Sequence, residues 1–181
     1  MTDALAGYEF KTSGGDLFTN FTSGETVKLR VLTVDPLIVL DKFGNTKFAF
    51  IIWNYNESKA QILNKGATVA KAIQALHLNK DWGNNIQAID IGITATGEGM
   101  DTRYSVIPYP NSVTLSNDKI EEARKIDLNK VFPGAIRMSE AAKGAKPVSE
   151  DQLLKPITAE NISEIFPEND SQEIDLSEIP F

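Results

Sequence analysis

Cations and aromatic rings are interleaved along the first two-thirds of this chain. Lys28 and Arg30 are followed by Lys42 and Phe43, Lys47, Trp53 and Tyr55, Lys59, Trp82, and then Arg103, Tyr104 and Tyr109. Ammonium and guanidinium groups neutralise phosphates, and exposed ring faces stack on unpaired bases at about 1–3 kcal/mol per base. Gathered on one surface, the two kinds of residue suit an extended polyanion carrying planar bases. Each also has a structural alternative. Lys28 and Arg30 would serve as a solvated strand face, Trp53 and Tyr55 as the rim of a core, and Trp82 as a plug below a barrel end. A second set stands near the end of the sequence: Asp175, Glu178, Ile179, Pro180 and Phe181. With Ile174 and Leu176, these apolar residues sit in a segment too short and acidic to bury them, so a pocket with a basic rim is their expected destination.

Other chemistries find little support. The chain has no cysteine and a single histidine, His77, so Cys-based zinc and redox sites and His-rich metal sites are excluded. His77 falls on the apolar side of its segment, where a half-buried histidine is expected rather than a general base. Gly97-Glu98-Gly99 lacks the Lys-Ser/Thr of a phosphate loop and reads as a hairpin tip. Asp90, Glu98 and Asp101 have no recognisable ligand spacing. The expectation is a protein that is not an enzyme and needs no cofactor or metal. There is no basic, apolar leader and no apolar run of the roughly 20 residues that span a bilayer, so the cytoplasm is the expected compartment.

The net charge of −7 over 181 residues is unevenly spread. Residues 150–181 hold nine acids against Lys155 alone, a balance of −8, which leaves +1 for residues 1–149. A near-neutral body with an acidic tail is a different electrostatic object from a uniformly acidic protein. It predicts that the tail folds back over the basic groove and is displaced by a polyanion.

The elements that would position these residues follow from hydrophobic period. Residues 1–24 read as an extended arm pinning Tyr8, Phe10, Phe18 and Phe21 onto the body. Val27, Leu29 and Val31 alternate with Lys28 and Arg30, a half-buried strand. Asp35-Pro36 interrupts it, and Leu37–Leu40 resumes it. Thr46–Trp53 forms a second strand with Phe48, Phe50 and Ile52 inward, and Lys59–Leu63 a third. Helical spacing of Val69, Ala70, Ile73 and Leu76 then predicts a helix capped by Thr68. A single helix over 58–78 is the alternative, but Gly66 in its interior would cost about 1 kcal/mol. Ile89, Ile91 and Ile93 mark a fourth strand, and Arg103–Tyr109 a fifth. The predicted class is all-β with one or two short helices, and the order matches the five-stranded Greek-key barrel called the OB-fold, whose helix sits between its third and fourth strands. The expected organisation is an arm at 1–24, the barrel at 25–112, a helical extension at 113–140 and a disordered acidic tail at 141–181.

The ending Ser177-Glu178-Ile179-Pro180-Phe181 resembles the C-terminal tip of bacterial single-stranded DNA-binding proteins. Trp53-Asn54, Asp81-Trp82-Gly83 and the run from Gly97 to Tyr104 look more like the single-stranded DNA-binding proteins of bacteriophages. Leu176 and Ser177 interrupt the continuous acidic run of the bacterial tip. The resemblance implies non-sequence-specific binding of single-stranded DNA in phage replication, recombination and repair, inside a bacterial host. It also implies a tip that recruits proteins of those processes through Pro180 and Phe181; self-association stays open. The alternative is an interaction module that mimics such a tail without touching DNA.

Overall fold

The computed structural model describes residues 15–110 and 112–148. They hold seven strands in one antiparallel sheet: β1 (Thr26–Val31), β2 (Leu37–Leu40), β3 (Thr46–Asn54), β4 (Lys59–Lys65), β5 (Asp90–Thr96), β6 (Arg103–Tyr109) and β7 (Ile136–Arg137). The helices are α1 (Ala67–Leu78), α2 (Asn117–Arg124), α3 (Leu128–Val131) and α4 (Met138–Ala141). Five strands were expected, and two observations account for the difference. Asp35-Pro36 splits the first strand, so β1 pairs with the C-terminal half of β3 (Arg30 opposite Trp53) and β2 with its N-terminal half (Ile38 opposite Phe48). β7 is a two-residue addition from the extension, pairing Ile136 with Ile38.

The lateral order is β6-β5-β1-β3-β2-β7, with β4 on the other side of β3. β6 is therefore an edge strand. Pro108 fits there, because it lies opposite Ile91 while lacking an N–H to donate. The chain does split at Gly66, which stands before α1 as its N-cap without a side-chain bond; Thr68 lies inside the helix and does not cap it.

Alternation places Val27, Leu29, Val31, Phe50, Ile52, Ile91 and Ile93 in a core against Val69 and Ile73 of α1. The opposite face of β3 and β4 is covered as well. There Leu37, Ala49, Ile62 and Leu128 form one cluster, and Trp53, Ala60, Leu115 and Ala123 another. The extension thus lies on the sheet, and Glu122 Oε1 accepts the Ala60 N–H at 2.9 Å. Of the arm, Phe18 packs edge-on to Phe132 and Phe21 edge-on to Tyr104. Tyr8 and Phe10 lie outside the described residues. Among the described residues no helix is long and apolar enough to cross a membrane.

Candidate nucleic-acid interface

The face of β6, β5 and β1 turned away from the core is organised in three cross-strand rows. Asp90 stands between Arg30 and Tyr109, Gly92 between Lys28 and Ile107, and Thr94 between Thr26 and Ser105. Directly opposed residues share a sheet face, so these nine side-chain positions form one surface. The hydroxyls of Thr26 and Thr94 are 2.6 Å apart, as that sharing requires. At its β6 side Arg103, Ser105 and Ile107 are exposed.

Asp90 is the anchor of the first row. Its buried Oδ1 accepts from Arg30 Nε at 2.6 Å and from the Tyr55 hydroxyl at 2.8 Å. Arg30 Nη2 is 2.6 Å from the same oxygen, and Lys28 Nζ stands 3.3 Å from Oδ2. Nη1 donates to the Gln87 carbonyl at 3.2 Å, and Nη2 also donates to the Val113 carbonyl at 2.8 Å. Two cations meet one carboxylate, so the cluster carries a net positive charge. Burial and the bond to Asp90 push the Tyr55 hydroxyl pKa up to about 12, so it stays a donor throughout the physiological range.

From this anchor a row of rings and ammonium groups extends. Lys119 Nζ, on α2, lies 5.1 Å from the Trp53 ring centre and 5.8 Å from that of Tyr55. Lys28 Nζ lies 5.0 Å from the Tyr55 centre and 5.2 Å from that of Tyr109. All four separations fall within the roughly 6 Å at which a cation is held by a ring face. The sequence Trp53, Lys119, Tyr55, Lys28, Tyr109 therefore alternates aromatic and cation in space. Tyr109 leans across Gly92: a Cβ there would come within 2.9 Å of Tyr109 Cε2 and 3.0 Å of its hydroxyl. A glycine inside a strand commonly marks such a close approach.

Several expected contacts are placed elsewhere, with clear physical reasons. Arg30 is 3% exposed, and its guanidinium is committed to Asp90 and two carbonyls, so it is a buried structural cation and not a phosphate contact. Trp53 is likewise 3% exposed, because Leu115 and Ala123 of the extension cover its face of the sheet. Trp82 lies half-buried on a 3-10 turn (Lys80–Trp82), packed against the main core. Tyr104 points to the core side of β6, where its hydroxyl and ring both meet Lys65, with an Nζ–O distance of 2.9 Å.

The remaining residues divide by location. Lys59 is paired with Asp16 and Glu57, and those bonds raise its pKa. Lys47 is 3.8 Å from Asp41. Phe43, 78% exposed, sits with Lys42 over its ring at the β2–β3 turn, at the opposite end of β3 from Trp53. Lys28, Tyr55, Tyr109 and Arg103 remain on the outward face. Asp175, Glu178, Ile179, Pro180 and Phe181 lie outside the described residues. His77 is half-buried, and its Nδ1 accepts the Ile86 N–H at 3.3 Å.

Lys119 and Gly92 did not stand out by residue type. The usable signal for Gly92 was a lone glycine among Ile91, Ile93 and their alternating partners. For Asp90 it was an acid on the strand face that pairs with a Lys28/Arg30 face. No family model matches the chain, and no curated protein or solved structure matches it significantly.

Proposed function

We propose that the chain is a non-sequence-specific single-stranded DNA-binding protein of the bacteriophage type, acting in DNA replication, recombination and repair. The observation that carries this reading is the alternating row of Tyr55, Lys28 and Tyr109, prolonged by Lys119, with the exposed Arg103 at the far end of the same face of β6. Rings offer stacking faces to bases regardless of sequence, and the ammonium groups between them meet successive phosphates. Nothing in the row forms the paired donor-and-acceptor pattern that would discriminate one base from another.

Counting β1 and β2 as one interrupted strand, the sheet follows the order of an OB-type barrel, with α1 between its third and fourth strands. The pairing of β1 with both β3 and β5 supports that reading, as does the Lys65–Tyr104 bond joining the ends of β4 and β6. The acidic segment ending in Ile179, Pro180 and Phe181 recruits replication, recombination and repair proteins in this reading, within the bacterial host cytoplasm.

A salt titration of binding to labelled oligo-dT tests the main proposal. Affinity should fall linearly on a log–log scale, with a slope of roughly −0.7 for each phosphate neutralised. No binding at low salt would overturn it.

A further inference from the structure

On the core side of the sheet, away from the cation–aromatic row, an open groove of about 390 Å³ lies between α1, β3 and the segment around Pro36. Its size falls within the roughly 300–1,000 Å³ typical of sites that bury a ligand-sized group. Phe48, Phe50, Ile73 and Ile86 form its apolar wall. Leu78, 66% exposed, and Val34, 51% exposed, stand at its lining with their side chains in water.

The polar groups of the groove are unusual for this chain. Among the described residues no Asp or Glu lines it, although acids outnumber bases 25 to 18 in the sequence. Lys71, Gln74 and His77 line it from one stripe of α1, spaced by three residues. With Nδ1 occupied in accepting the Ile86 N–H, Nε2 is the His77 nitrogen left to donate. All three side chains can therefore donate, and one is a fixed cation. Asp35, next to the lining residue Pro36, is engaged by Ser139, which donates from its N–H and hydroxyl at 2.9 and 2.7 Å. An apolar groove edged by donors and free of carboxylates is complementary to an acidic segment with spaced large apolar side chains.

We infer that this groove is the docking site for the chain's own segment 173–181, Glu173-Ile174-Asp175-Leu176-Ser177-Glu178-Ile179-Pro180-Phe181. It holds four large apolar residues and three acids, the pattern the groove lacks and fits. The route is short. Val148, the last described residue, donates its N–H to Gly134 O at 2.8 Å, and Met138, which lines the groove, donates to Pro36 O at 2.9 Å. Residues 149–172 can span up to roughly 80 Å when extended, against a body on the order of 35 Å across. Tethering makes the encounter intramolecular, at an effective concentration in the millimolar range, so an intrinsically weak contact is populated. The docked segment leaves the outward face of β1, β5 and β6 open, which differs from the expected fold-back over the basic groove, and the inference stands whether or not that face binds DNA.

The absence of cysteine makes the test direct. Gln74→Cys on exposed α1 is combined with Ile179→Cys in the full chain, and disulfide formation is followed under mild oxidation at low protein concentration. Lys130→Cys, at an exposed position of α3, combined with Ile179→Cys is the reference pair. The expected result is an intramolecular disulfide forming at least tenfold faster for the Gln74 pair than for the reference. Adding Leu78→Glu, which puts a like charge at the groove, should bring the rate down to the reference value. Equal rates for the two pairs would overturn the inference, as would insensitivity to Leu78→Glu. Disulfides formed mainly between two chains would also overturn it, assigning the groove to a second copy.

Discussion

Arg30 and Asp90 face each other across β1 and β5 with both side chains buried, the guanidinium reaching Oδ1 through Nε and Nη2 at 2.6 Å. Buried ion pairs gain little over well-packed apolar replacements, but removing one partner strands a charge. Asp90→Ala leaves the Arg30 guanidinium without its anion and should cost about 3–5 kcal/mol. Urea unfolding monitored by circular dichroism would show the shift. A loss below about 1 kcal/mol would mean that the guanidinium escapes to water.

Tyr55 makes part of that stability dependent on alkaline pH. Its folded pKa near 12 exceeds the unfolded value of about 10. The stabilisation is therefore fully present below pH 10 and is lost as pH rises towards 12, because only the unfolded chain releases the proton in that window. Tyr55→Phe removes a donor from Asp90 and should cost about 1 kcal/mol at neutral pH. The stability difference between the two proteins should stay level up to pH 10 and shrink above it. A difference unchanged through pH 12 would refute the assignment.

Gly92 is the seat of Tyr109. Gly92→Ala puts a Cβ within 3.0 Å of the Tyr109 ring, its hydroxyl and Thr26 Cγ2, so the ring must swing away from the sheet. If the ring stacks on a base, Tyr109→Ala should weaken oligo-dT binding by about 1–3 kcal/mol, roughly 5- to 150-fold. Gly92→Ala should show a smaller loss of the same kind. Fluorescence anisotropy at fixed salt measures both. Loss in Gly92→Ala with none in Tyr109→Ala would assign the effect to strand distortion.

Much of the fold was legible where one face of a strand is wet. Lys28 and Arg30 alternating with Val27, Leu29 and Val31 placed β1 correctly and oriented its two faces. The same logic fails at Trp53, because the outer face of β3 is roofed by the extension, α2 beside Trp53 and α3 over Ala49, and local period carries no information about a roof supplied 60 residues later. Arg30 escapes local pattern for a related reason: an alternating charge looks solvated until its buried partner, Asp90 on β5, is known. The ring-and-cation row was half visible. Lys28, Tyr55 and Tyr109 could be named from residue type, whereas Lys119 enters only because α2 packs beside β3 and β4.

Trp53 separates structural from functional aromatics. Trp53→Ala should cost about 3–5 kcal/mol by opening a cavity among Ala60, Leu115 and Ala123. Trp53→Phe, which keeps the apolar contact, should leave DNA affinity within about twofold, since stacking at about 1–3 kcal/mol per base is assigned to Tyr55 and Tyr109. Thermal unfolding together with oligo-dT anisotropy decides the matter. A tenfold loss of affinity in a stably folded Trp53→Phe would return Trp53 to the base-contacting set.

Salt dependence discriminates among the lysines. Lys28 and Lys119 stand between rings on the proposed interface, and Lys28 shares Asp90 with Arg30, so one positive charge is left over there; Lys59 is bridged to two acids, Asp16 and Glu57, and Lys47 lies near Asp41. A cation that releases counterions from a single strand contributes about 0.7 to the slope of log affinity against log salt. Lys28→Ala and Lys119→Ala should each flatten the slope by about that amount. Lys59→Ala should leave it unchanged, because its charge is balanced in place. Should the slope instead respond to Lys59 and ignore Lys28 and Lys119, the strand would run over β4, and the outward face of β1, β5 and β6 would not be the binding surface.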